Sequence, residues 1–429
     1  MPPADPVTGP GKRGPATAAT VRPIRLIISL LLTAVALRAA PLEFNRDIRP
    51  ILSENCFQCH GQDASRREGK LRLDQRESAL ARRHDAAAIV PGKPEESELY
   101  LRITEPDEAE RMPPPEAHKR VSAAQVARLR QWIAEGAKYE GHWAFIVPRR
   151  AALPGGHATG WARTPLDRFV LARLEAEGLE PRPEARPETW LRRAAFDLTG
   201  LPPTPAELDA FAAAVGRQGE AAYGAAVDRL LASPHFGERQ AIEWLDAARY
   251  ADTHGFNNDS ARSMWRWRDW VIDAFNGNLP YDRFITEQLA GDLLPAPSLE
   301  QRIATGFGRN HVINSEGGII DEEYRSSYVA DRVRTVSTVW LGLTMECAKC
   351  HDHKFDPIRQ TDYYRLYAFF NSVPELGEDG RIANAVPFIA APTSAQQAEL
   401  SAQERELAVL DAGLRKTRAR RKWSPGARA

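Results

Sequence analysis

Cysteine is scarce in this chain of 429 residues. There are four, all within two short motifs, so none is left over for a structural disulfide. Net charge is also lacking: 57 Lys and Arg balance 57 Asp and Glu, which removes the basic footprint of a nucleic-acid binder. The apolar run Leu26–Leu37 is roughly half of the ~20 residues that a bilayer crossing needs. Residues 161–375 contain no glycine-rich phosphate loop and no alternation of strand and helix patterns, which excludes a doubly wound nucleotide-binding fold there. The length exceeds what one core of ordinary size holds, so two or three domains are expected.

Lys12, Arg13, Arg22 and Arg25 precede the apolar run and Ala39-Ala40-Pro41 follows it. This order predicts a Sec-type signal peptide over residues 1–40, hence an exported protein of the periplasm or cell envelope. Arg38 makes the cleavage site irregular and leaves an uncleaved anchor as the alternative.

The four cysteines are Cys56, Cys59, Cys347 and Cys350, and each pair is followed at once by a histidine, His60 or His351. Two thiols three positions apart can form thioethers to the two vinyl groups on one edge of a haem, and the adjacent imidazole reaches the iron. Covalent attachment of this kind takes place outside the cytoplasm, in agreement with a signal peptide. Two other chemistries use the same residues: a tetrahedral zinc site built from paired Cys-x-x-Cys motifs, and a thiol–disulfide couple.

The first motif sits in a module predicted over residues 41–140. Ile48, Ile51 and Leu52 share one helical face leading into Cys56. Ser122 and Gln125 form a capping box ahead of Val126, Leu129, Trp132 and Ile133, and Gly136 supplies a stop. Between these two helices lies Arg111-Met112-Pro113-Pro114, with the module's only methionine. Met112 is the expected sixth ligand, since a thioether opposite imidazole favours ferrous iron and raises the potential. A core-filling methionine is the alternative. His84 and His118 are fallback ligands.

Phe44-Asn-Arg-Asp-Ile-Arg-Pro-Ile-Leu52, Cys56-Phe-Gln-Cys-His60 and Met112-Pro-Pro114 resemble the planctomycete-type cytochrome c domain found in large exported proteins. Downstream, Asp167–Leu174, Phe196–Thr204, Trp244–Asp246, Arg249–Asp252, Glu287–Leu294 and Cys347–Lys354 are similar to the DUF1549 domain that follows it. The resemblance implies a haem-bearing, extracytoplasmic protein. Relatives usually continue into a DUF1553 domain, whereas this chain stops soon after a basic segment, so the resemblance implies the expectation of a truncated or split form.

After a linker at 141–160, residues 161–375 read as a mainly helical domain. Helices are predicted near Pro165–Glu177, Pro187–Leu198, Pro205–Ala213, Ala221–Ala232, Phe236–Tyr250, Ser260–Asn276, Tyr281–Leu289 and Glu322–Trp340. Trp265, Trp267 and Trp270, interleaved with Arg262, Arg266 and Arg268, read as helix core with snorkelling arginines rather than a sugar or nucleic-acid platform. The polar tract Arg309–Glu316 makes His311, or failing that His254, the candidate distal ligand of a second haem; His353 is too near His351 to reach the opposite ring face. Asp352 and Asp356 are placed to hold an imidazole in one tautomer, and would equally suit a Cys, His and Asp metal site. Residues 376–429 are a linker and tail in which Leu400, Leu407, Leu410 and Leu414 have coiled-coil spacing ahead of the basic Arg415–Lys422, a candidate peripheral membrane contact.

The fold class expected is mainly α, with haem c as cofactor at one or both motifs. The leading function is electron transfer to a redox partner protein or domain, without nucleic acid. One rival gives the second module a haem- or metal-dependent oxidoreductase chemistry; the other is a zinc-stabilised, non-catalytic interaction protein.

Overall fold

The computed structural model describes residues 42–83, 85–155, 160–378 and 384–422. The expected signal peptide and His84 lie outside the described residues. The protein is mainly helical. The only strands among the described residues are β1 (Arg82–Arg83) and β2 (Ala86–Ala87), a two-residue antiparallel ladder.

Two compact units form. One takes the residues up to 60 together with 71–145; the other takes 61–70 and the chain from 146 onward. The placement of 61–70 departs from a first module running unbroken over 41–140. Its side chains explain this: Gln62 donates to the Asp356 carbonyl, and Asp63 lies 3.9 Å from His351 Nδ1.

In the first unit a π-helical turn, Phe44–Ile48, runs into α1 (Arg49–Asn55) and then α2 (Phe57–His60). α3 (Arg76–Leu80) and α4 (Glu98–Thr104) follow, and α5 (Ala123–Ala134) closes the unit. The capping box expected at α5 is present: Gln125 N–H donates to Ser122 Oγ, and Ser122 N–H donates to Gln125 Oε1. Ile48, Leu52, Leu129 and Ile133 are fully buried on the facing helices. Phe44, Trp132 and Tyr139 form an aromatic cluster with centroids 4.5–5.7 Å apart. Trp132 Nε1–H donates to Lys138 O at 3.0 Å, so this large side chain is buried with its polar atom satisfied.

The second unit is a succession of helices: α6 (Pro165–Ala176), α7 (Pro187–Thr199), α8 (Pro205–Gln218), α9 (Glu220–Leu231), α10 (Pro234–Ala247) and α11 (Trp265–Asn276), then α12 (Tyr281–Ala290), α13 (Leu299–Ala304), α14 (Asp321–Leu341), α15 (Gln360–Phe370) and α16 (Ser394–Lys422). Proline opens α6 through α8 and α10, where its missing N–H costs nothing; Thr164 and Thr204 cap two of these helices. α11 begins at Trp265 rather than Ser260. Residues ahead of it are held by the bridge Thr253–Ala261 and by Arg262, whose buried guanidinium donates to the carbonyls of Ala251, Asn310 and His311. Helices α13 and α15 are additions to the sequence reading. Trp267 and Trp270 are buried in the core with Phe284 and Phe307, and Trp267 Nε1–H donates to Ala304 O at 3.1 Å. Trp267 and Trp270 are therefore core, while Trp265 is half-buried outside it. On α16, Leu400, Leu407, Leu410 and Leu414 are exposed.

Helices α10 and α11 approach closely at Gly237. A Cβ there falls 2.4 Å from Ile272 O and 2.6 Å from Asn276 Cγ, and Gly237 N–H donates to Asn276 Oδ1 at 2.7 Å. Although alanine is the better helix former, Gly237→Ala is expected to cost about 1–3 kcal/mol by overpacking. A fall in the urea midpoint checks this; an unchanged midpoint contradicts the close approach.

Candidate functional site

α1 exists because Ile48, Ile51 and Leu52 bury one stripe against α5, and this fixes where Cys56 emerges. The chain then makes one more helical turn. His60 N–H donates to Cys56 O at 2.8 Å and Cys59 N–H donates to the same oxygen at 3.2 Å, so both thiols and the imidazole belong to a single turn. Phe57 is buried on its inner side with the Arg49 guanidinium over its ring. Cys56 packs against the core, where burial pushes its thiol up to about 12. Neither Cys56 nor Cys59 is in a disulfide.

Met112 lies on a loop tied back to α4, its N–H donating to Arg102 O at 2.9 Å. The side chain is 41% exposed, so it fills no core gap. His118, the remaining fallback, is exposed with φ of 50°.

The second motif is a 3-10 turn, Glu346–Lys349, running into Cys350 and His351. Ala348 anchors it, fully buried among Val333, Met345, Ile358 and Tyr363. From α15, Gln360 Nε2 donates to the carbonyls of Cys350 and Lys349, and Tyr364 Oη–H to that of Lys349. These bonds fix the backbone and leave both cysteines exposed. His351 Nδ1 lies 2.7 Å from Asp352 O; a carbonyl only accepts, so Nδ1 carries the proton and Nε2 the lone pair. This is the tautomer that iron ligation needs. The carboxylate of Asp352 is used elsewhere, accepting from Gln360 N–H at 2.9 Å. It is thus the backbone carbonyl of Asp352, not its carboxylate, that meets the imidazole at hydrogen-bond distance.

His353 is buried. Its Nδ1 accepts from the N–H groups of Phe355 and Asp356, and burial, then the neighbouring His351, lower its pKa against the pull of Asp356. It is a structural residue of the turn.

His311 differs from the sequence expectation. Its ring is fully buried and stacked on Tyr328 at 4.7 Å. Nδ1 lies 2.9 Å from Val312 O, and Nε2 accepts from Arg332 Nη2 at 2.7 Å. Both nitrogens are engaged, so this arrangement offers none to an iron. Burial, then Arg332 and Arg309, hold its pKa well below the usual histidine range. The same network contains Glu375, which Arg332 grips with both Nη atoms and Arg309 meets at 2.7 Å. His254, the other candidate, is also fully buried.

Among the described residues no three His, Cys, Asp or Glu side chains are grouped to hold a metal ion.

Residues 56–116 match a family model described as planctomycete cytochrome C, and residues 165–375 match one described as a protein of unknown function, DUF1549. No curated protein and no solved structure matches the chain.

Proposed function

The chain belongs to the proteins in which a planctomycete cytochrome C domain precedes a DUF1549 domain, and from this premise we propose that it is an exported c-type cytochrome that transfers electrons to a partner protein or domain. The observation that carries the reading is the single helical turn of Cys56, Cys59 and His60, with Met112 presented on an exposed loop. Cys56 and Cys59 would hold the haem covalently, and His60 and Met112 would supply its nitrogen and sulfur ligands. When bound, haem supplies a one-electron iron couple. The Met112 thioether biases that couple toward the reduced form and raises its potential.

Cys347, Cys350 and His351 attach a second haem in this proposal, with Asp352 O holding the His351 tautomer. One observation favours a second reading at this site. Both nitrogens of His311 are engaged, so a haem held at His351 would lack that histidine as a second ligand, which would suit binding or activation of a small molecule by the second unit. No helix among the described residues is long and apolar enough to cross a membrane. Export to the periplasm or envelope rests on the Leu26–Leu37 signal pattern, and a peripheral membrane contact on the basic Arg415–Lys422.

The spectrum of Met112→Ala tests the first site. The wild-type ferric protein is expected to show the weak near-infrared Met-to-iron band, and the variant to lose it while keeping its covalent haem and gaining a lower potential. Survival of the band in the variant contradicts Met112 as ligand.

A further inference from the structure

Beside α14 in the second unit lies a cleft of ≈ 240 Å³. Phe256 and Tyr324 form an aromatic wall, their rings edge to face at 5.7 Å. His311 and Tyr328 reach it from the buried side, and Glu323, Ser327 and Asp331 supply oxygen acceptors from successive turns of the helix. No lysine or arginine lines it.

The charge balance narrows the occupant. Asp331 is already neutralised by Arg249 Nη2 at 3.0 Å and Arg334 Nη2 at 2.6 Å. His311 uses its lone pair on Arg332 and carries no charge. An anion finds no cationic side chain lining the cleft, and an organic ammonium finds Asp331 already paired, with the exposed Glu323 as the other carboxylate of the lining. What remains is a set of acceptors opposite an aromatic wall, which suits a ligand that donates several hydroxyl protons along its edge and presents a flat C–H face to Phe256 and Tyr324. The volume admits one six-membered ring with its substituents.

The loop behind the cleft gives an independent sign. Asn310, directly before His311, is 1% exposed, and neither its amide oxygen nor its nitrogen has a hydrogen-bond partner; the Nδ2 of fully buried Asn314 has none either. Buried amides are normally satisfied, so these two stand out in the segment that carries His311 and Val312 to the cleft wall.

We propose that this cleft is a binding site for a neutral, hydroxyl-rich ring, one sugar residue in size. Its position gives it consequence. A second cleft of ≈ 230 Å³ shares Ser327 and Asp331 with the first and is lined by Lys349, between Cys347 and Cys350. The ligand is therefore held on the same helix face that leads to the second motif. Binding itself needs no haem there, so a failure of haem attachment at Cys347 and Cys350 leaves this test intact.

Saturation-transfer NMR on the full exported chain decides it, with the methyl glycosides of glucose, galactose and mannose as probes and tetramethylammonium and acetate as counter-probes. At least one glycoside is expected to receive saturation. Ser327→Trp, at an exposed position, should fill the cleft and reduce the signal at least tenfold, and Phe256→Ala should weaken binding about tenfold by removing the wall. Unchanged circular dichroism in both variants confirms that they fold. The proposal is overturned if no glycoside receives saturation, if the signal survives Ser327→Trp, or if only a counter-probe binds.

Discussion

Replacement of Cys56 and Cys59 together by serine will strip the first unit of its covalent haem. Serine nearly preserves the shape of the side chain but forms no thioether to a vinyl group, so the change removes attachment while leaving the turn closed by His60 N–H and Cys56 O intact. The pyridine haemochrome content of the exported protein should fall by one haem per chain. The packing lost at the cysteines themselves should be small, because Cys56 contributes only the edge of the core formed by Ile48, Leu52, Leu129 and Trp132, so any larger fall in stability reports the loss of the haem. If the second motif holds a haem as proposed, the parallel pair Cys347→Ser and Cys350→Ser should remove it separately, since these exposed thiols belong to a turn that Ala348 and α15 hold from behind. Haem content unchanged in the first double variant rules out attachment there.

The largest effect on stability is expected at Glu375, outside both motifs. Its carboxylate is almost fully buried and is the partner of Arg332, itself buried, and of Arg309. Glu375→Ala leaves the Arg332 guanidinium in a low-dielectric interior without its counter-charge, a change that costs about 3–5 kcal/mol. Urea unfolding followed by circular dichroism measures it. The loss should also free Arg332 Nη2 from its fixed position beside His311 Nε2, so the stack of His311 on Tyr328 should loosen. A cost below ~1 kcal/mol, the range of exposed pairs, contradicts the view that this network holds α14 to the 309–316 loop.

These two cases mark how far the sequence alone reaches. The turn carrying Cys56, Cys59 and His60, the capping box at Ser122 and the proline-headed helices are local: residues within one or two turns decide them, and they can be read directly. The Trp267 and Trp270 stripe was legible for the same reason, as helical periodicity points to a buried face. Glu375 and Arg332 are 43 positions apart, and each alone looks like an ordinary surface charge. Nothing local predicts that they meet in the interior, and so nothing local shows that His311 is consumed by that meeting. Arg262 is similar. In sequence it sits among the arginines of the stripe, but in the fold it is a buried clamp on three carbonyls, which is why α11 starts at Trp265. The acceptor role of Asp352 followed the same rule. A carboxylate beside a histidine invites pairing, yet the first turn of α15 captures it and the backbone oxygen takes its place.

The central claim is covalent haem at Cys56 and Cys59. Its most direct test is mass spectrometry of the exported chain under denaturing conditions, with peptides resolved. The peptide containing Cys56, Cys59 and His60 is predicted to carry one haem on two thioether bonds; recovery of that peptide with both thiols unmodified would contradict the account.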